Sequence, residues 1–532
     1  MKDARYDRQL RLWGEEGQAS IESASVCVLG SSALATEILK SLVLAGINSF
    51  CILDDAVVQN ADLGNNFFLH VSDLGRKRGE ATLAKLKELN PAVGGTWEDV
   101  SLEEWHDERM LYRLSSFSVV VASNLRTSTA AAISDYLFEN SIPFVSCRVF
   151  GLIGYIRVSV REHTVANAHE ENPREDLRLD RPLPEFQAMV DGTDLAELSV
   201  DEIRHTPYII LYMKALKMYR EKLSDPSAFP ESFTDRKALW GLIETMRVET
   251  DTGSTDAENF DEAKTKLLRS FQKTTVPARV VEILNDAKCS SSSTCTQPFW
   301  IICTGLRKFV EKHNCLPLKG NLPDMTSDSK RYARLANIYH SAAVQDAREV
   351  YQFIREVERE RGADSVISEE MCYRFCKTAD SVHVQRGSKI SAESDAGKII
   401  EFLAEENGDA QKKAAAEWLL LLLAADRFLQ EKGRFPGTNG VPCTIDSADL
   451  KSRVISIVKR CNLNPDQILP LLSESGLPEI CRYGAAEPHV ISALVGGIAA
   501  QEVIKLATNQ YIPLDNTFLY DGHTQCGATF RF

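Results

Sequence analysis

The sequence of 532 residues predicts an α/β fold, a doubly wound parallel sheet with helices on both faces, interrupted by a large insertion. Two observations support the sheet. Runs of consecutive apolar residues alternate with segments whose apolar residues recur at helical spacing, which is typical of buried parallel strands joined by helices. In addition, a glycine-containing turn at 29–35 joins the first such strand to the first such helix, as in nucleotide-binding sheets.

The predicted strands and helices alternate up to about residue 165. Buried strands are expected at 24–30, 47–55, 117–123 and 143–149, and helices at 35–46, 79–90 and 129–140. In the segment 150–162 apolar and polar residues alternate, which predicts a half-exposed strand that continues the sheet.

A second kind of sequence begins near residue 166. Long segments with helical spacing dominate from 166 to 480, so a large, mainly helical insertion is expected there. The last part, 481–532, begins with a glycine- and alanine-rich helix and ends with two short strands around a turn. We therefore expect 1–165 to begin the sheet and 481–532 to complete it.

Composition and charge disfavour several classes of function. The formal net charge of −14 argues against nucleic acid and anionic membranes as partners. The most apolar run, 414–426, is shorter than the ~20 apolar residues of a membrane span, so a buried helix and no membrane span are expected. The 13 cysteines form no C-x-x-C pair. This argues against a structural zinc site and indicates reduced thiols, as in the cytoplasm or the nucleus.

The turn after the first strand departs from a phosphate-binding turn, which uses glycines so that the backbone can approach phosphate. Gly30 is present, but Ser32 and Ala35 occupy the positions of the two later glycines. Asp54 and Asp55, at the end of the second strand, have the usual position of a ribose-binding acid. Without the glycines, the simpler interpretation is favoured, in which these acids only end the strand.

Several motifs resemble one known family. YDRQLRLWG (6–14), DLGNNFFL (62–69) and CRYGAAEPHVISALVGG (481–497) are similar to segments of the adenylating domain of ubiquitin-like-protein activating enzymes. Within that family, DLGNNF, HTPY, LPDM and CRYGAAEPH resemble the regulatory-subunit type of the heterodimeric neddylation-activating enzyme, the amyloid-precursor-binding-protein type. The resemblance implies a Rossmann-like adenylating fold, interrupted by a helical domain that is similar to a catalytic-cysteine domain but lacks the catalytic cysteine.

The resemblance also implies that the nucleotide site is degenerate. Active members have an arginine that contacts ATP phosphate where this chain has Asn65, and Arg78 takes the place of their lysine. A neutral amide supplies no positive charge to a triphosphate. Their metal-binding aspartate matches Ala122 or Ser123, so no carboxylate for magnesium is expected. ATP and magnesium are accordingly expected in the partner subunit, and no cofactor or metal in this chain.

One active-site residue of the family is retained. Tyr6, Leu10 and Trp13 recur at helical spacing and predict a buried stripe, from which Arg8 projects away. In the family, the matching arginine of YDRQ reaches across the dimer to the partner's ATP phosphates, so the resemblance implies this role for Arg8. A surface arginine without a function is the alternative.

Two further sets of residues have both a structural and a functional interpretation. Cys295 and Cys443 are each followed by threonine, like the nucleophile of catalytic subunits, but buried or incidental cysteines are favoured and the resemblance implies no catalytic cysteine here. The second set lies near one face of a predicted helix: Tyr332, Leu335, Tyr339 and Ala343. Such a stripe is typical of core, whereas in the family this region contacts the catalytic subunit.

The function expected from the resemblance is that of a non-catalytic subunit in an activating heterodimer. Its catalytic subunit would adenylate a NEDD-type ubiquitin-like modifier with ATP and magnesium and then capture it as a thioester, for the neddylation of cullins. The name of the type adds the amyloid precursor protein as a candidate partner. Two alternatives stay open: a self-sufficient nucleotide-binding enzyme, and a binding scaffold without an enzyme partner.

Overall fold

The structure, a computed structural model, describes residues 3–102, 108–171, 173–248, 257–364, 366–394, 396–405 and 408–532. The chain forms two compact units. Unit 1 comprises Met1–Val165 and Val384–Phe532, and unit 2 comprises Ala166–His383. The insertion therefore ends at His383, which corrects the predicted boundary at 480.

The first part of unit 1 contains the alternating elements that the sequence predicts. In chain order they are α1 (Asp3–Ser23), β1 (Ser25–Leu29), α2 (Ala33–Ala45), β2 (Ser49–Leu53), α3 (Arg78–Leu89), β3 (Gly94–Glu98), α4 (Glu108–Leu114), β4 (Val119–Ser123), α5 (Thr127–Glu139), β5 (Phe144–Phe150), β6 (Ile153–Ser159) and β7 (His163–Val165). The sequence does not predict β3, because the strand begins with two glycines and Trp97 is its only large apolar residue.

Unit 2 consists of helices and the loops between them. The helices are α6 (Pro184–Asp191), α7 (Val200–Arg204), α8 (Tyr208–Leu223), α9 (Phe233–Glu244), α10 (Glu258–Ser270), α11 (Ala278–Leu284), α12 (Pro298–His313), α13 (Ser329–Arg361) and α14 (Glu369–Lys377). The Asp328 side chain caps the start of α13, and Gly362 ends the helix with a φ of 61°.

The chain then returns to unit 1. Its remaining elements are β8 (His383–Gln385), α15 (Ile390–Ser394), α16 (Gly397–Ala404), α17 (Ala410–Lys432), α18 (Cys443–Arg460), α19 (Pro465–Ile468), α20 (Gly476–Tyr483), α21 (His489–Thr508), β9 (Thr517–Asp521) and β10 (Cys526–Phe530). The apolar run 414–426 lies in α17, where its leucines share a core with Ile153, Leu519 and Phe530 of the sheet. Because α17 covers the sheet, this helical stretch belongs to unit 1.

The sheet of unit 1 has the strand order β10-β9-β6-β5-β4-β1-β2-β3. Strands β5, β4, β1, β2 and β3 are parallel, whereas β6, β9 and β10 join antiparallel. The predicted parallel sheet is thus confirmed from β5 to the β3 edge, and the two C-terminal strands complete the sheet, β9 by pairing with β6 and β10 by pairing with β9.

Strand β6 is buried along its whole length, so the prediction of a half-exposed strand is wrong. Ile156 and Val158 lie in the core under α2 and α21. Ile153 and Tyr155 point to the other face and pack with α17. Polar residues in β6 therefore mark no solvent-facing side; Arg157, fully buried, donates to the Val158 carbonyl and to Ser388.

Helix α21 packs closely on α2. A Cβ added to Gly496 would lie 2.8 Å from Glu37 Cβ, so only glycine permits this approach. By length and composition α21 could cross a membrane, with a mean hydropathy of 1.6 over its most apolar window, and 56% of that window is buried inside the protein. A core helix of a soluble protein has the same properties.

Candidate functional site

The turn between β1 and α2 lies at the carboxyl ends of the central strands. From β1 the chain moves outward to β2 and β3, and then returns to the other side of β1 to form β4. In sheets of this kind, ligands bind where the direction of winding changes. The degenerate nucleotide site expected from the sequence therefore lies where a nucleotide would bind in such a sheet, and we call this position the pocket.

The residues of this turn are used for packing and capping. Gly30 has a φ of 96°, and a Cβ there would lie 3.1 Å from the Ser123 carbonyl oxygen, which explains why this glycine is kept. Ser32 caps α2 by accepting a hydrogen bond from the Ala35 N–H at 3.4 Å. Its hydroxyl also lies 2.7 Å from the Ser123 hydroxyl. Both Ser32 and Ala35 are buried, so side chains fill the space that glycines would leave open.

Arg78 is held by acids of the same pocket. Its guanidinium donates to Asp62 Oδ1 at 3.1 Å, to Asp54 Oδ2 at 3.3 Å and to the Ser31 hydroxyl at 3.0 Å, and that hydroxyl in turn donates to Asp54. Burial opposes the charge, but Asp54 and Asp62 hold the pKa of Arg78 above its usual value. Asp54 thus serves as a partner of Arg78 in addition to ending β2, whereas Asp55 is exposed.

A further carboxylate, which the sequence analysis did not identify, lies at the start of α2. Glu487 Oε2 accepts a hydrogen bond from the Leu34 N–H at 3.3 Å. Burial raises the pKa of Glu487, although the Leu34 N–H and Arg78 favour the ionised form. The first N–H groups of a helix form a natural anion site, and here the protein's own carboxylate takes that position.

The two positively charged features of the pocket are therefore occupied. The guanidinium of Arg78 pairs with Asp54 and Asp62, and the N-terminus of α2 binds Glu487. A phosphate entering the pocket would have to displace these carboxylates and would meet their negative charge. Glu487 is the glutamate of the CRYGAAEPH motif and stands 453 positions from Leu34, so local spacing around the turn does not identify it.

Asn65 and the end of β4 provide no further charge. The side-chain oxygen of Asn65 is buried and accepts no hydrogen bond from the described residues. Ala122 and Ser123 are buried at the end of β4, where Ser123 contacts Ser32. Within the described residues, no group of three or more His, Cys, Asp or Glu side chains is arranged to hold a metal ion.

Arg8 lies on the first part of α1. Its side chain is exposed and makes no hydrogen bond or ion pair with the described residues. On the opposite face of the helix, Trp13 is buried against Tyr511 with a ring-centre distance of 5.3 Å, while Tyr6 and Leu10 are half-buried. The predicted stripe is present, and Arg8 points away from it.

The helical stripe of unit 2 is core. Leu335, Tyr339 and Ala343 are fully buried in the core of unit 2, and the Tyr339 hydroxyl donates to the Leu177 carbonyl at 2.8 Å. Buried side chains offer no surface to a partner, which corrects the expectation of an interface for these three residues. Tyr332 is half-buried and keeps some accessible surface.

The two candidate cysteines lie in different units. Cys295, in unit 2, is half-buried, and its carbonyl accepts a hydrogen bond from Arg361 at 2.9 Å. Cys443, in unit 1, is exposed at the start of α18. Neither side chain is fully buried.

An apolar surface adjoins the filled pocket in unit 1. Phe67 is 72% exposed and its ring centre lies 6.4 Å from that of His489, whose chain neighbour Val490 is 75% exposed. The neighbouring Asn66 anchors this loop by donating to the Thr36 hydroxyl of α2 at 3.1 Å. We call Phe67, His489 and Val490 the Phe67 surface. Large exposed apolar groups beside one another are typical of a surface that binds another protein.

Fold and site together define a doubly wound α/β protein with a network of paired charges at the carboxyl ends of its central strands. The chain belongs to the ThiF family, whose model matches residues 6–531. It is 51% identical to the NEDD8-activating enzyme E1 regulatory subunit of Caenorhabditis elegans, over 99% of this chain and 98% of that protein. It is 36% identical to the subunit of the same name in Gallus gallus, over 100% of this chain and 98% of that protein.

A plant relative and a solved structure extend this comparison. The NEDD8-activating enzyme E1 regulatory subunit AXR1 of Arabidopsis thaliana is 32% identical over 97% of this chain and 94% of that protein. The crystal structure of Escherichia coli MccB with MccA-N7isoASN covers 29% of this chain and 47% of that chain at 16% identity. Its TM-score is 0.27, so it adds no argument about function.

Proposed function

We propose that this chain is the non-catalytic regulatory subunit of a heterodimeric activating enzyme. Its catalytic partner adenylates a NEDD8-type modifier with ATP and magnesium and takes the modifier as a thioester on a cysteine of its own. The enzyme thereby starts the neddylation of target proteins, with cullins as the expected class. Relatives that carry the regulatory-subunit name cover nearly the whole chain, which supports this role.

The observation that carries the proposal is the filled pocket. Asp54 and Asp62 neutralise Arg78, and Glu487 binds the N-terminus of α2. Electrostatic stabilisation of a transferring phosphoryl group needs cationic donors that are free to face it. Since these donors are already satisfied, the chain contributes no second ATP site, and the nucleotide belongs to the partner.

Two exposed features suit assembly with that partner. The Phe67 surface offers apolar side chains that a protein interface would bury. Arg8 is exposed and its guanidinium pairs with none of the residues that the structure describes, as an arginine supplied to another subunit's ATP requires. The thirteen cysteines are free thiols, which suits a cytoplasmic or nuclear location. Binding of the amyloid precursor protein stays a prediction.

The proposal is tested with the isolated chain and with the pair. Isothermal titration of the isolated chain with Mg-ATP should give no binding heat, whereas the chain mixed with the catalytic subunit should support modifier-dependent ATP–pyrophosphate exchange. Neither subunit alone should reach the rate of the mixture. Micromolar ATP binding by the isolated chain would instead favour a self-sufficient enzyme, and an unchanged rate of the partner in its absence would favour a plain scaffold.

A further inference from the structure

The part of α1 that carries Arg8 is separated from the rest of the helix. Gly14 has a φ of 69° and a ψ of 178°, so the hydrogen-bond ladder is interrupted there. The segment 15–23 therefore cannot fix the direction of the segment 3–13. That direction has to come from contacts that residues 3–13 make with the body of unit 1.

At its C-terminal end, this segment is anchored by Trp13. The Trp13 ring meets the Tyr511 ring edge-on at 5.3 Å, and Gln510 donates from its side chain to the Trp13 carbonyl at 3.0 Å. A single anchor at one end of a helix leaves it free to swing about that end. A second anchor is needed before the position of Arg8 is defined.

Asn90, a buried residue at the end of α3, provides the second anchor. Its side-chain oxygen accepts a hydrogen bond from Arg5 at 2.7 Å. Its side-chain nitrogen donates to the Tyr6 hydroxyl at 3.2 Å and to the Val43 carbonyl at 3.0 Å. One buried amide thus links two consecutive residues of α1 to the end of α2.

Gly46 makes room for this arrangement. A Cβ on Gly46 would lie 2.4 Å from the Tyr6 hydroxyl oxygen and 2.7 Å from Tyr6 Cζ. The φ of Gly46 is 87°, which also favours glycine. We call Arg5, Tyr6, Gly46 and Asn90 the Asn90 latch.

We propose that the Asn90 latch is a positioning device for Arg8. Arg5 and Arg8 are three residues apart on the same helical segment. Arg5 donates a hydrogen bond to Asn90, whereas Arg8 is exposed to solvent. The latch holds the segment in the direction from which Arg8 reaches the phosphates of the partner's ATP. This inference rests on the proposed function, since a positioned arginine matters only if the partner binds the nucleotide.

The test uses the reconstituted heterodimer and ATP–pyrophosphate exchange at saturating modifier. Arg5→Ala and Tyr6→Phe should each lower kcat about three- to tenfold, because a small displacement of a reacting group is costly in rate. Arg5→Lys, which keeps a donor for Asn90, should recover part of the loss. The matched control is Arg11→Ala, which removes the same charge from the same segment, where Arg11 pairs with Asp7 and has no other ion pair among the described residues. It should change kcat less than about twofold.

A double-mutant cycle separates positioning from general damage. In an Arg8→Ala background, Arg5→Ala should lower kcat by no further factor, because there is no guanidinium left to position. If the effects of Arg5→Ala and Arg8→Ala on kcat multiply in the double variant, the inference is overturned. A wild-type kcat for Arg5→Ala in a fully assembled heterodimer would also overturn it.

Hydrogen exchange on the isolated chain tests the latch without the partner. Amides of residues 5–13 should exchange faster in Arg5→Ala and Tyr6→Phe than in wild type and Arg11→Ala. Equal exchange in all four proteins would also overturn the latch. If instead Arg8→Ala itself has wild-type activity while exchange is faster in the latch variants, the trans-arginine part of the proposed function fails and the latch loses its catalytic role.

Discussion

Two arginines of unit 1 show how surroundings decide the use of a side chain. Arg78 lies in the nucleotide position but is paired with Asp54 and Asp62. Arg8 lies far from it in sequence, on an exposed helical face, and contacts no described acid. A guanidinium that is already paired has little to offer an arriving anion, whereas a free one keeps its forked donors.

Arg8→Ala is expected to impair catalysis without affecting assembly. The side chain is exposed, so its removal opens no cavity. Loss of a charge-assisted contact worth about 1.5–3 kcal/mol corresponds to a rate about ten- to a hundredfold lower. ATP–pyrophosphate exchange measures the rate, and gel filtration checks the heterodimer. Arg8→Lys should recover only part of the rate, and full activity of an assembled Arg8→Ala enzyme would contradict the trans role.

Glu487 predicts a pH dependence of stability. Its pKa is raised in the folded chain from the usual 4.5, mainly by burial, so at pH values between 4.5 and the raised pKa the folded state keeps a proton that the unfolded state has lost. The contribution of Glu487 to the free energy of unfolding therefore falls as the pH rises from 4.5 through the raised pKa. Glu487→Gln removes this titration and can still accept the Leu34 hydrogen bond, so the variant should gain stability over wild type between pH 4.5 and pH 7.

Urea unfolding at several pH values between 4.5 and 7 measures this difference. Glu88→Gln is the matched control, because it removes a carboxylate from an exposed site on α3. The difference between the control and wild type gives the effect of losing an exposed carboxylate. A Glu487→Gln difference that does not change with pH would show that this carboxylate does not titrate as its burial requires.

At the scale of elements, the contact between α2 and α21 depends on one of two adjacent glycines. Gly496 faces Glu37 and Ile38, whereas a Cβ on Gly497 would meet nothing within 4 Å. Gly496→Ala should lower the free energy of unfolding by about 1–3 kcal/mol through overpacking. Gly497→Ala should raise it by up to about 1 kcal/mol, because alanine is the better helix former. Thermal unfolding of the two variants checks the contrast, and equal effects would contradict the packing described.

The sequence predicts elements well where their burial follows a simple pattern. The strands β1, β2, β4 and β5 are runs of buried apolar residues, and these runs are visible in the sequence. The prediction for strand β6 fails because its alternating polar and apolar residues indicate a solvent-exposed face. In the structure, α17 covers that face. The boundary at 480 fails for the same reason, since helical spacing does not reveal which unit a helix covers.

The candidate site is predictable only in part. Gly30, Ser32, Ala35 and Arg78 are near their expected positions because they belong to local motifs around β1 and α3. The role of Glu487 depends on contacts between distant parts of the chain, which no local spacing records. For the stripe around Tyr339, local spacing is sufficient, because it correctly indicates buried core residues. The interface that the family resemblance implied for this stripe is not found, since most of its side chains are buried.

At the scale of the whole molecule, the thioester is expected on the partner. Cys295→Ala and Cys443→Ala, singly and together, should leave the rate of modifier thioester formation by the heterodimer within about twofold of wild type, since neither thiol is part of a described reactive cluster. Non-reducing gels measure the thioester on each subunit. An adduct on this chain that is removed by reducing agent, and that either substitution abolishes, would contradict the assignment.

The discontinuity of unit 1 has a consequence for synthesis on the ribosome. Residues up to 165 emerge first, but α21, β9 and β10, which cover and extend their sheet, come after the whole of unit 2. At about 5–20 residues per second, residues 166–516, which precede β9, take roughly twenty to seventy seconds to translate. During that interval the antiparallel edge at β6 lacks its partner β9, and the incomplete sheet is open to chaperones and to other nascent chains.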